Sequence, residues 1–319
     1  MRAFSYQRAN TFAEASDLLG GSAQALGGGT DLLVCIQEGI AAPDSVVDLT
    51  RIPGGDAIEP LPDGGLRIGA AARVHDVARH AVVRERFAAL SQACDAVGSP
   101  ALRHMGTLGG NLCQRPRCWY FRRGIPCLKN GGSKCHAKDG ENQYHAILEA
   151  GPCWIVHPSD PAVALVALDA SLELTRSSAR RTIAIADFYL LPADRIEQET
   201  VLADGELVSA VLIPGASAHG RQSYRKLMQR GAWDFALASI AAVRRPDGSV
   251  RMAMGGLAPR PWRVPESVEE DVASGGLDDD SIAALAERAL YDAQPLARNG
   301  YKVSMAASLL RDAMRELAR

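Results

Sequence analysis

Short apolar segments separated by glycine and proline recur along the chain, and their periods define its elements. Phe4 and Tyr6 open a strand, and Thr11-Phe12-Ala13-Glu14 is a capping box starting a helix that runs to Gly20-Gly21. A second strand, Ala23 to Leu26, stops at Gly27-Gly28-Gly29. An amphipathic piece spans Thr30 to Gln37, and the strand Ser45 to Leu49 follows. These elements read as a βαβ unit ending at the Pro53-Gly54-Gly55 loop. A second unit begins near Leu66, with a strand from Leu66 to Ala70, a helix from Val74 to Arg79 and a longer helix from Val83 to Val97. From Gly106 to Gly140 turn chemistry dominates and no period holds. Order resumes at Trp154-Ile155-Val156, with a helix after Pro161 and strands at 171–174, 182–185 and 207–213.

From about Arg221 a third unit starts. Phe235 to Val243 is a continuous apolar run, Arg245-Pro246-Asp247-Gly248 makes a hairpin turn, and Val250 to Leu257 returns. Helices near Asp280 to Tyr291 and Tyr301 to Leu317 close the chain. Strands followed by segregated helices give an α+β class. The expected division is a first lobe at 1–55, a second at 56–218 carrying an insert at 113–153, and a C-terminal α+β domain at 219–319.

Composition removes several function classes. The 319 residues carry a net charge of -2, which argues against a nucleic-acid binder built on a broad basic face. No apolar run approaches the ~20 residues of a membrane span, so membrane insertion is not expected. No export signal is read near Met1. Seven cysteines, an odd number, cannot all pair within the chain, and a chain of this size does not need disulfide staples. Five of them, Cys113, Cys118, Cys127, Cys135 and Cys153, fall in the irregular insert.

Two glycine turns carry candidate chemistry. Gly27-Gly28-Gly29-Thr30-Asp31 lies between a strand and a short helix, where amides can approach a phosphate. A plain tight turn explains the same glycines. With Thr107-Leu108-Gly109-Gly110-Asn111, the pair suits a two-ended ligand such as a dinucleotide. Neither is a GxGxxG motif or a P-loop. The cysteines at 118, 127, 135 and 153 lack the close pairs of a zinc finger; wide, loop-borne spacing suits an iron–sulfur cluster. A four-cysteine zinc site, free thiols or disulfides stay open. Basic residues around them (Arg115, Arg117, Arg122, Arg123, Lys129, Lys134, Lys138) are placed to offset cluster charge. His136 and His145 read as surface residues, and Ser159 or Asp160 as a helix N-cap. No Ser/His/Asp or Cys/His set marks a catalytic side chain.

Together with the Lys226…Arg230…Asp234-Phe235-Ala236 stretch, these turns make the chain resemble the FAD-binding subunit of the molybdenum hydroxylases, over nearly its whole length. That resemblance implies a two-lobed FAD-binding domain of the vanillyl-alcohol-oxidase (PCMH) type, followed by an α+β domain of the CO dehydrogenase flavoprotein type. By matching positions, Ala25, Leu26, Gly27, Gly28, Gly29, Thr30, Asp31 and Leu32 would wrap the FAD pyrophosphate. Thr107, Gly109, Gly110 and Asn111 would make a second contact there. Asp160 would hold sugar or ribityl hydroxyls and Lys226 would approach the flavin ring. Gly231-Ala232-Trp233 departs from the acidic sequence of xanthine dehydrogenases, so NAD reduction is not carried over.

The insert resembles that of the aldehyde oxidoreductase branch, which implies a [4Fe-4S] cluster on Cys118, Cys127, Cys135 and Cys153, with Cys113 a spare thiol. A 4-hydroxybenzoyl-CoA reductase-like subunit is the alternative within the family. A stand-alone flavin oxidase and a zinc module are the alternatives outside it. The implied partners are a large molybdopterin-binding subunit, a small [2Fe-2S] subunit and an external electron acceptor. The implied compartment is the periplasm by co-export with a partner, or the cytoplasm.

Overall fold

The structure, a computed structural model, describes residues 2–318. Its first sheet is parallel and holds β1 (Ser5–Arg8), β2 (Gln24–Leu26) and β3 (Ser45–Asp48), with β3 in the middle. All four β3 residues are buried, which is what a central parallel strand requires. The helix between β1 and β2 spans Phe12–Leu18. Thr11 caps it by accepting from Glu14 N, while the Glu14 carboxylate reaches back to Asn10 N at 2.7 Å.

A second, antiparallel sheet contains β4 (Ile58–Pro60), β5 (Leu66–Gly69), β6 (Ser171–Arg176), β7 (Ala179–Ala184) and β8 (Leu207–Ile213), in the order β4-β5-β8-β6-β7. Helices, short loops and the insert fill the excursion between β5 and β6. The expected long helix at 83–97 is two helices, Ala81–Arg86 and Ala88–Asp95, broken at Phe87 with φ -132. Phe87 is fully buried, and the break turns its ring into the core of this unit.

The third sheet has β9 (Arg221–Leu227), β10 (Ala238–Arg244), β11 (Val250–Gly255) and β12 (Trp262–Arg263) in the order β12-β11-β10-β9, all antiparallel. Strand β9 escapes a hydrophobicity reading because Tyr224 is its one buried side chain. The helix Glu266–Ser274 is likewise added to the two expected terminal helices, Asp279–Ala289 and Tyr301–Ala318.

Strand β10 explains the largely apolar run at 235–243, whose one polar residue, Ser239, is itself fully buried. Ala238, Ile240 and Ala242 join the core under the C-terminal helices, while Ala241 and Val243 join the core of the second sheet's unit. A strand covered on both faces has no polar side to alternate with. The two units therefore share packing through this sheet. No helix among the described residues is long and apolar enough to cross a membrane.

The insert is ordered around a few buried groups despite its short elements, the helix Trp119–Arg122 and a single turn at Leu128–Asn130. Phe121, Ala137, Ala146 and Ile147 are buried, and Ile147 N and Leu148 N both bond to Leu257 O. Lys129 reaches out of the insert to Glu199 Oε1 at 2.7 Å and to Ile196 O at 2.6 Å.

Candidate cofactor sites

The two glycine turns are pressed against each other. A Cβ on Gly27 would stand 2.5 Å from Thr107 Oγ1, and one on Gly28 would stand 1.7 Å from Met105 O. Only glycine permits this approach. Thr107 Oγ1 also accepts from Gly110 N at 3.2 Å, opening the short helix Leu108–Leu112. Both turns line one cavity of about 430 Å³, to which residues 197–200 and 202–206 also contribute. Ala25, Gly27, Gly28, Gly29, Thr30, Asp31, Leu32, Thr107 and Gly110 face it.

Three of the expected pyrophosphate contacts are placed otherwise: Leu26, Gly109 and Asn111, the last of which lines a different cavity. Leu26 does not line the cavity; its carbonyl accepts from Leu49 N. Gly109 is buried against Ala70, and its amide is already given to Ala70 O at 2.8 Å. The Asp31 carboxylate serves a structural partner as well. It accepts from Arg122 Nη2 at 2.7 Å, from Arg115 N at 2.7 Å and from Arg117 Nη1. Burial works to raise its pKa, but the Arg117 and Arg122 guanidinium groups override that and hold it below the ordinary range.

Two further cavities, of about 460 and 240 Å³, adjoin at Arg117, Asp160 and Phe235. Asn111, Asp160 and Lys226 all line the smaller one. Asn111 Oδ1 accepts from Ser159 Oγ at 2.6 Å, and Ser159 is the N-cap of the helix Asp160–Ala167. Asp160 and Lys226, expected to meet the ligand separately, are each other's partners at 2.7 Å. Tyr224 also donates to Asp160, and Lys226 donates to Ala96 O at 3.0 Å. Burial raises the Asp160 pKa, and the Lys226 ammonium opposes it. His157 is a buried wall of the larger cavity. Burial and the Arg117 charge push it down to about 3, so its ring is neutral.

The cysteines separate by position. Cys118, Cys127, Cys135 and Cys153 line a single small cavity with Tyr120, Phe121 and Lys129. Cys113 faces the glycine-turn cavity, Cys94 is core, and Cys35 lies beside Arg122 at 2.9 Å. Among the described residues, no three His, Cys, Asp or Glu side chains gather closely enough to hold a single metal ion. The neighbouring Cys153 draws the Cys135 thiol down to about 6, and Cys135 together with burial pushes Cys153 up. Burial raises Cys118 to about 11.

The basic residues expected to offset cluster charge are mostly engaged elsewhere. Arg117 and Arg122 neutralise Asp31, and Arg115 and Lys129 share Glu199. A charged guanidinium in a half-buried loop binds the nearest carboxylate, wherever it lies in sequence. His145 corrects another expectation. It is 4% exposed, with Nε2 3.3 Å from Cys118 Sγ. Nothing in its local sequence distinguished it from His136. The cysteine cavity and the larger cavity share two wall residues, Cys118 and Ile155.

The glycine-lined cavity borders the smaller of the other two through Thr30 and Gln114, and that one in turn borders the larger cavity. Residues 2–216 match the family described as the FAD binding domain in molybdopterin dehydrogenase, and residues 222–317 match the CO dehydrogenase flavoprotein C-terminal domain. The chain belongs to the FAD-binding subunits of the molybdenum hydroxylase family. It is 40% identical to the aldehyde oxidoreductase FAD-binding subunit PaoB of Escherichia coli, over 99% of this chain and 98% of that one. It is 27% identical to the glyceraldehyde dehydrogenase medium chain of Sulfolobus acidocaldarius, over 92% and 89%. The fold matches a carbon monoxide dehydrogenase structure from Hydrogenophaga pseudoflava with a TM-score of 0.75, at 23% identity, covering 99% of this chain and 97% of that chain.

Proposed function

We propose that this chain is the FAD- and [4Fe-4S]-carrying electron-transfer subunit of a three-subunit, molybdenum-dependent aldehyde oxidoreductase. One observation carries the reading: four cysteines dispersed through an irregular insert line the same small cavity. In a four-iron cluster each thiolate takes its own iron, so the sulfurs stand apart around a common volume instead of converging on one point. Cys118, Cys127, Cys135 and Cys153 suit that demand. The 40% identity to an aldehyde oxidoreductase subunit over the full chain supports the substrate class.

Bound FAD would supply two-electron chemistry and the cluster one-electron chemistry, both properties of the cofactors themselves. The chain's residues hold and shield. The glycine turns offer a cleft for a pyrophosphate, while Asn111, Asp160 and Lys226 border the ring end. Phe235 borders the same end, and Leu237 lines the adjoining larger cavity. The partners in this reading are a large molybdopterin-binding subunit, a small [2Fe-2S] subunit and an external electron acceptor. The compartment is the periplasm if the complex is exported folded with a signal-bearing partner, which cell fractionation decides.

The test is purification of the complex through a tag on a partner subunit, with a subunit census, a visible spectrum and iron analysis. Flavin bands over a broad iron–sulfur envelope, three subunits and aldehyde-dependent dye reduction are expected. A colourless chain with stoichiometric zinc overturns the cofactor assignment. Reduction of an aromatic CoA thioester without aldehyde oxidation moves the chain to the 4-hydroxybenzoyl-CoA reductase branch.

A further inference from the structure

His145 is clamped beside one of the four cysteines. Its Nε2 lies 3.3 Å from Cys118 Sγ. Trp119 packs edge-on to the ring with centroids 5.7 Å apart, and Asn299 Nδ2 donates to its backbone carbonyl at 3.1 Å. Nδ1 is buried without a partner among the described residues. The side chain is therefore held with one nitrogen aimed at the sulfur and the other unused. Cys118 and His145 also line the 460 Å³ cavity, so this contact stands where the two candidate cofactor volumes meet.

We propose that His145 is a positioning residue that donates a hydrogen bond from Nε2 to the Cys118 sulfur and thereby raises the reduction potential of a cluster bound there. The inference rests on the four-cysteine cluster reading. Its chemistry follows from ligation. A sulfur bonded to iron carries no proton, so the only hydrogen available between these atoms is the one on Nε2, and the ring is fixed in that tautomer. Reduction adds negative charge to the cluster and its sulfurs, so a donor aimed at one of them stabilises the reduced state more than the oxidised state. The contact is shielded from solvent, which preserves the effect. A residue serving only to fill space would leave the potential unmoved.

The test uses the assembled complex on the full chain, with His145→Leu and His145→Gln. Iron content is expected at the parent value in both. In an EPR-monitored redox titration, the four-iron midpoint falls in His145→Leu and returns toward the parent in His145→Gln, whose amide restores a donor. A second measurement needs no variant. Labelling histidine with nitrogen-15 in the unaltered complex should give a weak nitrogen coupling to the reduced cluster in pulsed EPR. Full iron with an unchanged midpoint in His145→Leu overturns the inference, as does the absence of that coupling. A parent complex lacking iron instead overturns the cluster reading beneath it.

Discussion

Asp31, which closes the first glycine turn, accepts a hydrogen bond at 2.7 Å from Arg122 in the cysteine insert. The side chains are 14% and 11% exposed, so the pair is largely withdrawn from water. It joins the turn expected to face a pyrophosphate to the loop expected to hold a cluster. Neither can be rearranged without disturbing the other.

Asp31→Ala strips the counter-charge from Arg117 and leaves Arg122 only Glu38, at 3.9 Å. Leaving a half-buried guanidinium group unpaired costs about 3 kcal/mol. The expected outcome is a lowered melting temperature and reduced flavin per chain, measured by differential scanning fluorimetry and flavin absorbance. Normal values of both would show that the pair is dispensable.

The same pair sets an acid limb. The folded-state pKa of Asp31 lies below its ordinary value, so its stabilisation is fully present above about 3.9 and is lost as pH falls from there through the folded value. The stability gap between the parent and Asp31→Asn should be constant from pH 7 to 5 and shrink below about pH 4. Denaturant midpoints of both proteins across that range measure it. A gap that widens on acidification contradicts the assignment.

Gly28 tests the contact between the turns. In Gly28→Ala the new Cβ would lie 1.7 Å from Met105 O, so backbone must move and the cavity must open. A loss of about 1–3 kcal/mol is expected, with low flavin occupancy. Gly20→Ala meets nothing within 4 Å and should stay within about 0.5 kcal/mol of the parent. Equal behaviour of the two variants would remove the steric explanation.

Lys226 balances Asp160 in a site where the side chains are 4% and 7% exposed. Lys226→Met leaves a buried carboxylate without its cation, at a cost of about 3–5 kcal/mol. The double variant with Asp160→Asn should recover much of that stability while flavin binding stays weak. A double-mutant cycle on unfolding and flavin affinity separates the two effects.

Serine at Cys118, Cys127, Cys135 or Cys153 should remove most of the iron, whereas serine at Cys35, Cys94 or Cys113 should leave it near the parent value. Because Arg117, Cys118, Trp119, Tyr144 and His145 wall the larger cavity, the first group should also bind flavin less well. Iron and flavin per chain are read on the same samples. Loss of iron on changing Cys113 with retention on changing Cys153 would reassign the fourth ligand.

How much of this could be read from the sequence depended on the range of the interaction behind each feature. The capping box at Thr11, the glycine turns, the 245–248 hairpin and the last two helices were legible, because each is decided by residues a few positions apart. The apolar run that becomes β10 was visible in the sequence, and the cysteine content of the insert raised the expectation of a metal or cluster. Which cores β10 divides, and that four particular thiols share one cavity, were decided only in three dimensions. The pairing of Asp31 with Arg122 spans 91 positions and that of Asp160 with Lys226 spans 66. Charges this far apart find each other through the stacking of whole elements, and burial then selects the nearest opposite charge. No local period encodes that choice. The break at Phe87 and the placing of His145 against Cys118 have the same origin, since in each case packing from distant segments outweighs the preference of the neighbouring residues.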